Sequence, residues 1–164
     1  MDCYTAALRI LSFRFNSTGE LRRKLRAKKF AEDEISATLE RLTAEKWLDD
    51  ERFAGAYART RTQKRVGRLR ILRELSEAGV GNEAARQAVA ESTDEDRERE
   101  AAREAATKKL RVLLRKPSQD MRQKLTAYLM RQGFDAGLAR EVAKEVDLRV
   151  RPTFDDAEPG EGET

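Results

Sequence analysis

The chain of 164 residues contains no histidine and a single cysteine, Cys3. Without histidine, the commonest general base and the commonest metal ligand are both missing. One thiol excludes an intramolecular disulfide framework and a cysteine-rich zinc site, and Cys3, beside an apolar face, is expected to be packed rather than reactive. Proline is absent from the first 116 residues and β-branched runs are few, so helix is the default. No apolar run approaches the roughly 20 residues of a membrane span. The N-terminal patch carries Asp2, Arg9 and Arg14 and does not read as a signal peptide. A cytoplasmic protein without membrane attachment is expected. Neither a P-loop nor a dinucleotide-binding glycine pattern is present. The acidic cluster Asp49-Asp50-Glu51 is explained by helix capping and the helix dipole rather than by a metal. No catalytic residue, metal site or cofactor is therefore expected, and an enzyme is not the reading.

What the chain does have is charge. Charged residues make up 39% of it, while Leu, Ile, Val and Phe together number only 33. One large core is therefore not expected, and several thin helical layers with small cores fit better. The net charge of +4 hides an uneven distribution. Residues 1–80 hold 18 basic and 12 acidic side chains, 81–100 hold 3 and 7, 101–151 hold 13 and 6, and 152–164 hold 5 acids and no base. Within 59–73 there are seven basic residues and no acid. A polyanion approaching the surface would meet this stretch first.

Helix boundaries follow from punctuation. Ser17 and Glu20 have capping-box spacing, Leu48 and Phe53 flank the cap Asp49 at staple spacing, and Asp94 with Glu95 and Asp96 opens another helix. Gly79 and Gly133 stand where a left-handed stop is needed, and Pro117 resets the chain after a long helix. Leu21, Leu25, Phe30, Ile35 and Leu39 share one spacing with Ile71, Leu75, Val80, Ala85 and Val89, and with Leu125, Leu129, Phe134, Ala139 and Ala143. Each set describes a helix, a tight turn and a second helix. Each is preceded by a further amphipathic segment, near 3–15, 50–64 and 95–115. The expected fold is all-α: three tandem three-helix repeats (1–48, 49–92 and 93–150) in an elongated, curved array, followed by an acidic, disordered tail at 151–164. Lys29 takes the place of the turn glycine in the first repeat.

Outward cations recur in this pattern. At about 100° per residue, Arg23 and Arg26 lie opposite Leu21 and Leu25, and Arg70 and Arg73 lie opposite Ile71 and Leu75. The candidate polyanion-binding set is Arg23, Arg26, Arg59, Arg61, Lys64, Arg65, Arg68, Arg70, Arg73, Lys108, Lys109 and Arg111. Such residues neutralise phosphates without reading bases. Trp47, Phe53 and Tyr57 fall where helix packing would use them, and no base-stacking platform is evident. Two other readings stay open: a sequence-specific helix-turn-helix regulator, and a helical scaffold that binds protein alone.

The segments Ser17-x-x-Glu20-Leu21-Arg22-Arg23-Lys24-Leu25, Trp47-Leu48-Asp49-Asp50-Glu51-Arg52-Phe53-Ala54 with Tyr57, and Gly67-Arg68-Leu69-Arg70-Ile71-x-x-Glu74-Leu75-x-x-x-Gly79 resemble the RecX family of regulatory proteins. A weaker echo occurs at Lys124-Leu125-x-x-Tyr128-Leu129-x-x-x-Gly133-Phe134, so the resemblance spans about residues 6 to 147. Ala31 stands where a better N-cap is usual and Trp47 where Tyr is common, and the acidic tail is outside the pattern. The resemblance implies tandem three-helix repeats and a modulator of the RecA recombinase. Such a protein would sit in the groove of the RecA–DNA filament and mostly inhibit strand exchange and ATP hydrolysis. The implied partners are that filament and single-stranded DNA, with double-stranded DNA open as a second form, and a monomer is expected.

Overall fold

A computed structural model describes residues 1–150, and the acidic segment 151–164 lies outside them. Among the described residues there are nine α-helices and no strand: α1 (Cys3–Leu11), α2 (Thr18–Ala27), α3 (Glu32–Ala44), α4 (Asp50–Gln63), α5 (Arg68–Glu77), α6 (Asn82–Ser92), α7 (Glu95–Leu113), α8 (Met121–Arg131) and α9 (Ala136–Val150). The first helix of each triplet opens on an aspartate. Asp2, Asp49 and Asp94 accept from the N–H groups of Thr5, Arg52 and Arg97 at 2.7, 2.9 and 2.8 Å, which satisfies one orphan donor at each start. Ser17 does the same for Glu20 N–H at 3.0 Å. The capping box is not completed there, because the Glu20 carboxylate turns to Arg14 at 3.2 Å instead.

The helices pack in threes, and each triplet has its own small core. Leu21, Leu25, Ile35, Leu39, Leu42 and Leu48 form the first. Phe53, Ile71, Leu75, Val80 and Val89 anchor the second, and Leu110, Met121, Leu125, Leu129, Phe134 and Val142 the third. Every residue of the repeat spacing is buried except Phe30, which is half-buried. Leu48 and Phe53 do not share a core, so Leu48 closes the first repeat rather than stapling α4 to its own start. Trp47 is 56% exposed, against the expectation that packing would use it. The first helix is also shorter than expected. It stops at Leu11, and the Ser-Phe-Arg-Phe-Asn segment after it, in which four of five residues are weaker helix formers, carries Phe13 and Phe15 outside it.

Separate cores need joints, and the joints are built from helix ends. The start of α2 sits on the end of α5: Ser17 Oγ donates to the Ala78 carbonyl, and Thr18 N–H donates to Asp50 Oδ1 at 2.8 Å. The start of α5 sits in the same way on the end of α8. Gly67 N–H reaches the Gln132 carbonyl at 2.8 Å and Leu69 N–H the Gly133 carbonyl at 3.0 Å. Arg68 N–H donates to Glu98 Oε1 at 3.0 Å. The middle helices thus form a head-to-tail column: at the α5–α8 joint the orphan N–H groups of one helix satisfy the last carbonyls of the next, and at the α2–α5 joint the Ser17 hydroxyl meets the Ala78 carbonyl.

This column explains the turn glycines. Gly79 and Gly133 have φ of +82° and +95°, and Lys29 adopts the same left-handed conformation at φ 65°. Lys29 tolerates it at a cost of about 1–2 kcal/mol. Gly79 and Gly133 face a second demand, because Gly19 and Gly67 press backbone against them, leaving no room for a Cβ. No helix start is stacked on the turn at Lys29 among the described residues.

Candidate nucleic-acid interface

The basic run 59–73 crosses the end of α4 and the start of α5, and the structure divides it. Arg61 Nε and Nη2 lie 2.7 and 2.5 Å from the two oxygens of Glu74, and Arg70 Nε lies 2.9 Å from Oε1. Tyr57 Oη donates to Oε2 at 3.0 Å. Burial pushes the Glu74 carboxyl up, but the hydrogen bonds from Arg61, Arg70 and Tyr57 outweigh it and hold the carboxyl below its ordinary value. Arg61 and Arg70 therefore serve first as internal counter-ions. Arg70 also reaches Gln132 at 3.4 Å, and its Cβ occupies the space beside Gly133. It is a joint residue rather than the outward arginine expected from helical spacing.

Arg68 is tied to the same joint, with Nε 3.2 Å from the buried Glu98 carboxylate. Arg65 pairs with Glu104 of α7, which holds its guanidinium above the ordinary value. In the first repeat Arg26 lies 2.7 Å from Glu32, where Arg22 also binds. Lys109 lies 5.3 Å from the ring centroid of Tyr128, a cation–π contact. The remaining candidates, Arg23, Arg59, Lys64, Arg73, Lys108 and Arg111, are exposed and have no ion-pair partner among the described residues.

These free cations are not gathered in one patch. Arg59 and Lys64 line an open groove along α4 of about 570 Å³, together with Arg61. Lys108 and Arg111 line a second one between α7 and α9, where Glu100 and Glu104 dilute the charge. Arg68 lines a third beside Asp94, Glu95 and Glu98, which is mixed rather than cationic. Arg23 on α2 and Arg73 on α5 hold equivalent places in two repeats of the column. The α4 groove is thus the most strongly basic of these surfaces, and no carboxylate lines it. Among the described residues no group of histidine, cysteine or carboxylates is placed to hold a metal ion. Among the described residues no helix is long and apolar enough to cross a membrane.

Three family models, describing the first, second and third three-helix domains of RecX, match residues 3–42, 49–89 and 95–143. The chain belongs to the RecX family. A regulatory protein RecX of Pelodictyon phaeoclathratiforme is 33% identical over 156 residues, which cover 94% of this chain and 93% of that one. The RecX of Trichlorobacter lovleyi is 34% identical over 144 residues, 86% and 93% of the two chains. The crystal structure of RecX from Lactobacillus salivarius matches with a TM-score of 0.74 at 26% identity, over 89% of this chain and 95% of that one. The relatives are named regulatory proteins, and this all-α RecX fold carries the helical repeats that such a name accompanies.

Sequence reasoning passed over two residues of the basic groove. Arg52, the third residue after the Asp49 cap, turns its guanidinium over the ring of Phe15 at 4.9 Å, and both line the groove. The available signal was Phe15 itself, a large aromatic outside the repeat spacing and two positions before a helix cap.

Proposed function

We propose that this RecX protein regulates a RecA-type recombinase by lying along its DNA filament, with its unpaired cations against the phosphates. The observation that carries the reading is the set Arg23, Arg59, Lys64 and Arg73, exposed and without carboxylate partners among the described residues, Arg23 and Arg73 at equivalent places on two helices of the column and Arg59 and Lys64 in the α4 groove. Exposed charges recurring in successive repeats suit a polymer of repeating charge, and such contacts are salt-dependent and indifferent to sequence. Lys108 and Arg111, in their separate groove on the third repeat, offer a further phosphate contact. Arg26, Arg61, Arg65, Arg68 and Arg70 contribute by setting the positions of the others, since their charge is shared with Glu32, Glu74, Glu104 and Glu98. The protein acts as a monomeric binding module and does no chemistry of its own.

The extent of this internal pairing favours one alternative, a scaffold that docks on protein alone. The two readings separate in one experiment. The protein is titrated into RecA on single-stranded DNA while ATP hydrolysis and filament length are followed together, at low and at moderate salt. Inhibition that weakens steeply with salt supports phosphate contact. Inhibition indifferent to salt, with equal binding to DNA-free RecA, supports the scaffold.

A further inference from the structure

The groove along α4 combines two chemistries, exposed cations and aromatic rings. Its cationic side carries Arg52, Arg59 and Lys64, none of which is paired with a carboxylate among the described residues. Its apolar side carries Phe15, Phe53 and Tyr57, the last two stacked with centroids 5.9 Å apart. Phe53 is buried and Tyr57 is tethered by its hydroxyl to Glu74, so this floor is fixed. At about 570 Å³ the groove falls in the size range of small-molecule sites, roughly 300–1,000 Å³.

Phe15 is the unusual member. It is 56% exposed although the segment that carries it is pinned. The buried Asn16 donates to the Arg14 carbonyl at 2.7 Å and accepts from Lys24 Nζ at 2.6 Å, and Arg14 Nη1 donates to the Phe15 carbonyl at 3.0 Å. A slack loop would let the ring collapse onto the protein, whereas this one holds it out beside the groove with Arg52 against it. The next joint shows what a closed version looks like. There the residue two positions before the helix cap, Gly67, is Arg65, and it is sealed to Glu104 of α7 by an ion pair. At the first joint the corresponding contact is a guanidinium–aromatic pair with one side left open.

We propose that this groove takes a base of a single-stranded nucleic acid, stacked on the Phe15–Arg52 pair, while Arg59 and Lys64 meet the adjoining phosphates. The inference rests on the reading that these cations contact DNA and adds that the base contributes as well as the backbone. A positive groove with an aromatic platform is the chemistry of sequence-tolerant single-strand binding, because every base has a π-face. In a duplex the bases are stacked on one another and cannot enter, so the groove discriminates strandedness rather than sequence.

The test measures binding of the full-length protein, at several salt concentrations, to a thymidine oligomer and to an abasic oligomer of equal length and charge. The base-bearing strand is expected to bind at least about fivefold tighter, the lower end of what one stacked base contributes. Both strands should show the same salt slope. Phe15→Ala should abolish the difference with an unchanged melting transition, and Phe15→Tyr should keep it. Equal affinity of the wild-type protein for both strands overturns the stacking while leaving phosphate contact standing. If neither strand binds yet the protein still binds RecA filaments, phosphate contact fails as well. A Phe15→Ala variant that keeps the base preference but loses capture of DNA-free RecA shows that the groove receives a protein segment, and the proposal falls.

Discussion

Gly67→Ala tests the helix column at its tightest point. A Cβ at residue 67 would lie under 3.0 Å from the carbonyl group of Gly133 and from Phe134 N, both backbone atoms that cannot rotate aside. Ordinary contact begins near 3.4 Å, so the two repeats must part by roughly 1 Å. The bonds from Gly67 N–H to the Gln132 carbonyl and from Leu69 N–H to the Gly133 carbonyl, now 2.8 and 3.0 Å, would then pass beyond hydrogen-bonding range. Each contributes about 1 kcal/mol net, and the Arg68 N–H bond to the charged Glu98 contributes about 1.5–3 kcal/mol. Water takes up part of the loss, leaving an expected destabilisation of about 2–4 kcal/mol. Urea denaturation followed by far-ultraviolet circular dichroism is the assay. Helix signal before the transition should be unchanged, because every core lies within one repeat, while the transition should broaden and begin earlier as the repeats uncouple. Gly81→Ala is the control, since nothing lies within 4 Å of its Cβ and it is a helix N-cap like Gly67, so it should show only the ordinary cost of alanine at a cap, no more than about 1 kcal/mol. A Gly67→Ala protein with wild-type midpoint and slope would refute the column as the coupling element.

Three further outcomes follow from the same geometry. Leu25→Ala and Leu75→Ala each remove a fully buried side chain and should cost about 2–5 kcal/mol in denaturation experiments, so loss of function in them reports unfolding and maps no interface. Glu74→Gln frees Arg61 and Arg70 from their shared carboxylate; stability should fall by about 1–3 kcal/mol while affinity for single-stranded DNA rises, measured by denaturation and fluorescence anisotropy. The folded-state value of Glu74 lies below its ordinary one, so its contribution is complete above about pH 5 and is lost as pH falls through the lowered value. With no histidine in the chain, melting should be nearly flat from about pH 6 to 7.5 and fall only in acid, and Glu74→Gln should remove part of that acid sensitivity.

The repeats were legible because burial leaves a periodic trace. Leu21, Leu25, Ile35 and Leu39 recur fifty residues later as Ile71, Leu75, Ala85 and Val89, and each set sits in one core. The aspartate caps and the left-handed turns at Lys29, Gly79 and Gly133 were legible because backbone geometry restricts the residues that fit. The partners of the arginines were not legible. Helical phase placed Arg70 outward, but the neighbouring repeat stands on that side, and Glu74 draws in both Arg70 and Arg61 from different helices. Arg65 and Arg68 meet Glu104 and Glu98, which belong to the next repeat and lie some thirty to forty residues away. Sequence alone counts such charges but does not pair them. Phe15 escaped for the opposite reason: it obeys no helical period, so nothing marked it until the pinned segment showed it beside Arg52.

The central claim is that the unpaired cations of the first two repeats engage a DNA-bearing filament. The most direct measurement compares the wild-type protein with a variant carrying Arg23→Ala, Arg59→Ala, Lys64→Ala and Arg73→Ala, each titrated into RecA on single-stranded DNA with ATP hydrolysis as the readout. All four side chains are exposed and unpaired among the described residues, so melting should be unchanged. The wild-type protein should inhibit hydrolysis and the variant should need at least tenfold more protein for the same effect, or about 1.4 kcal/mol spread over four phosphate contacts. Equal inhibition by a variant that melts like the wild type would contradict it.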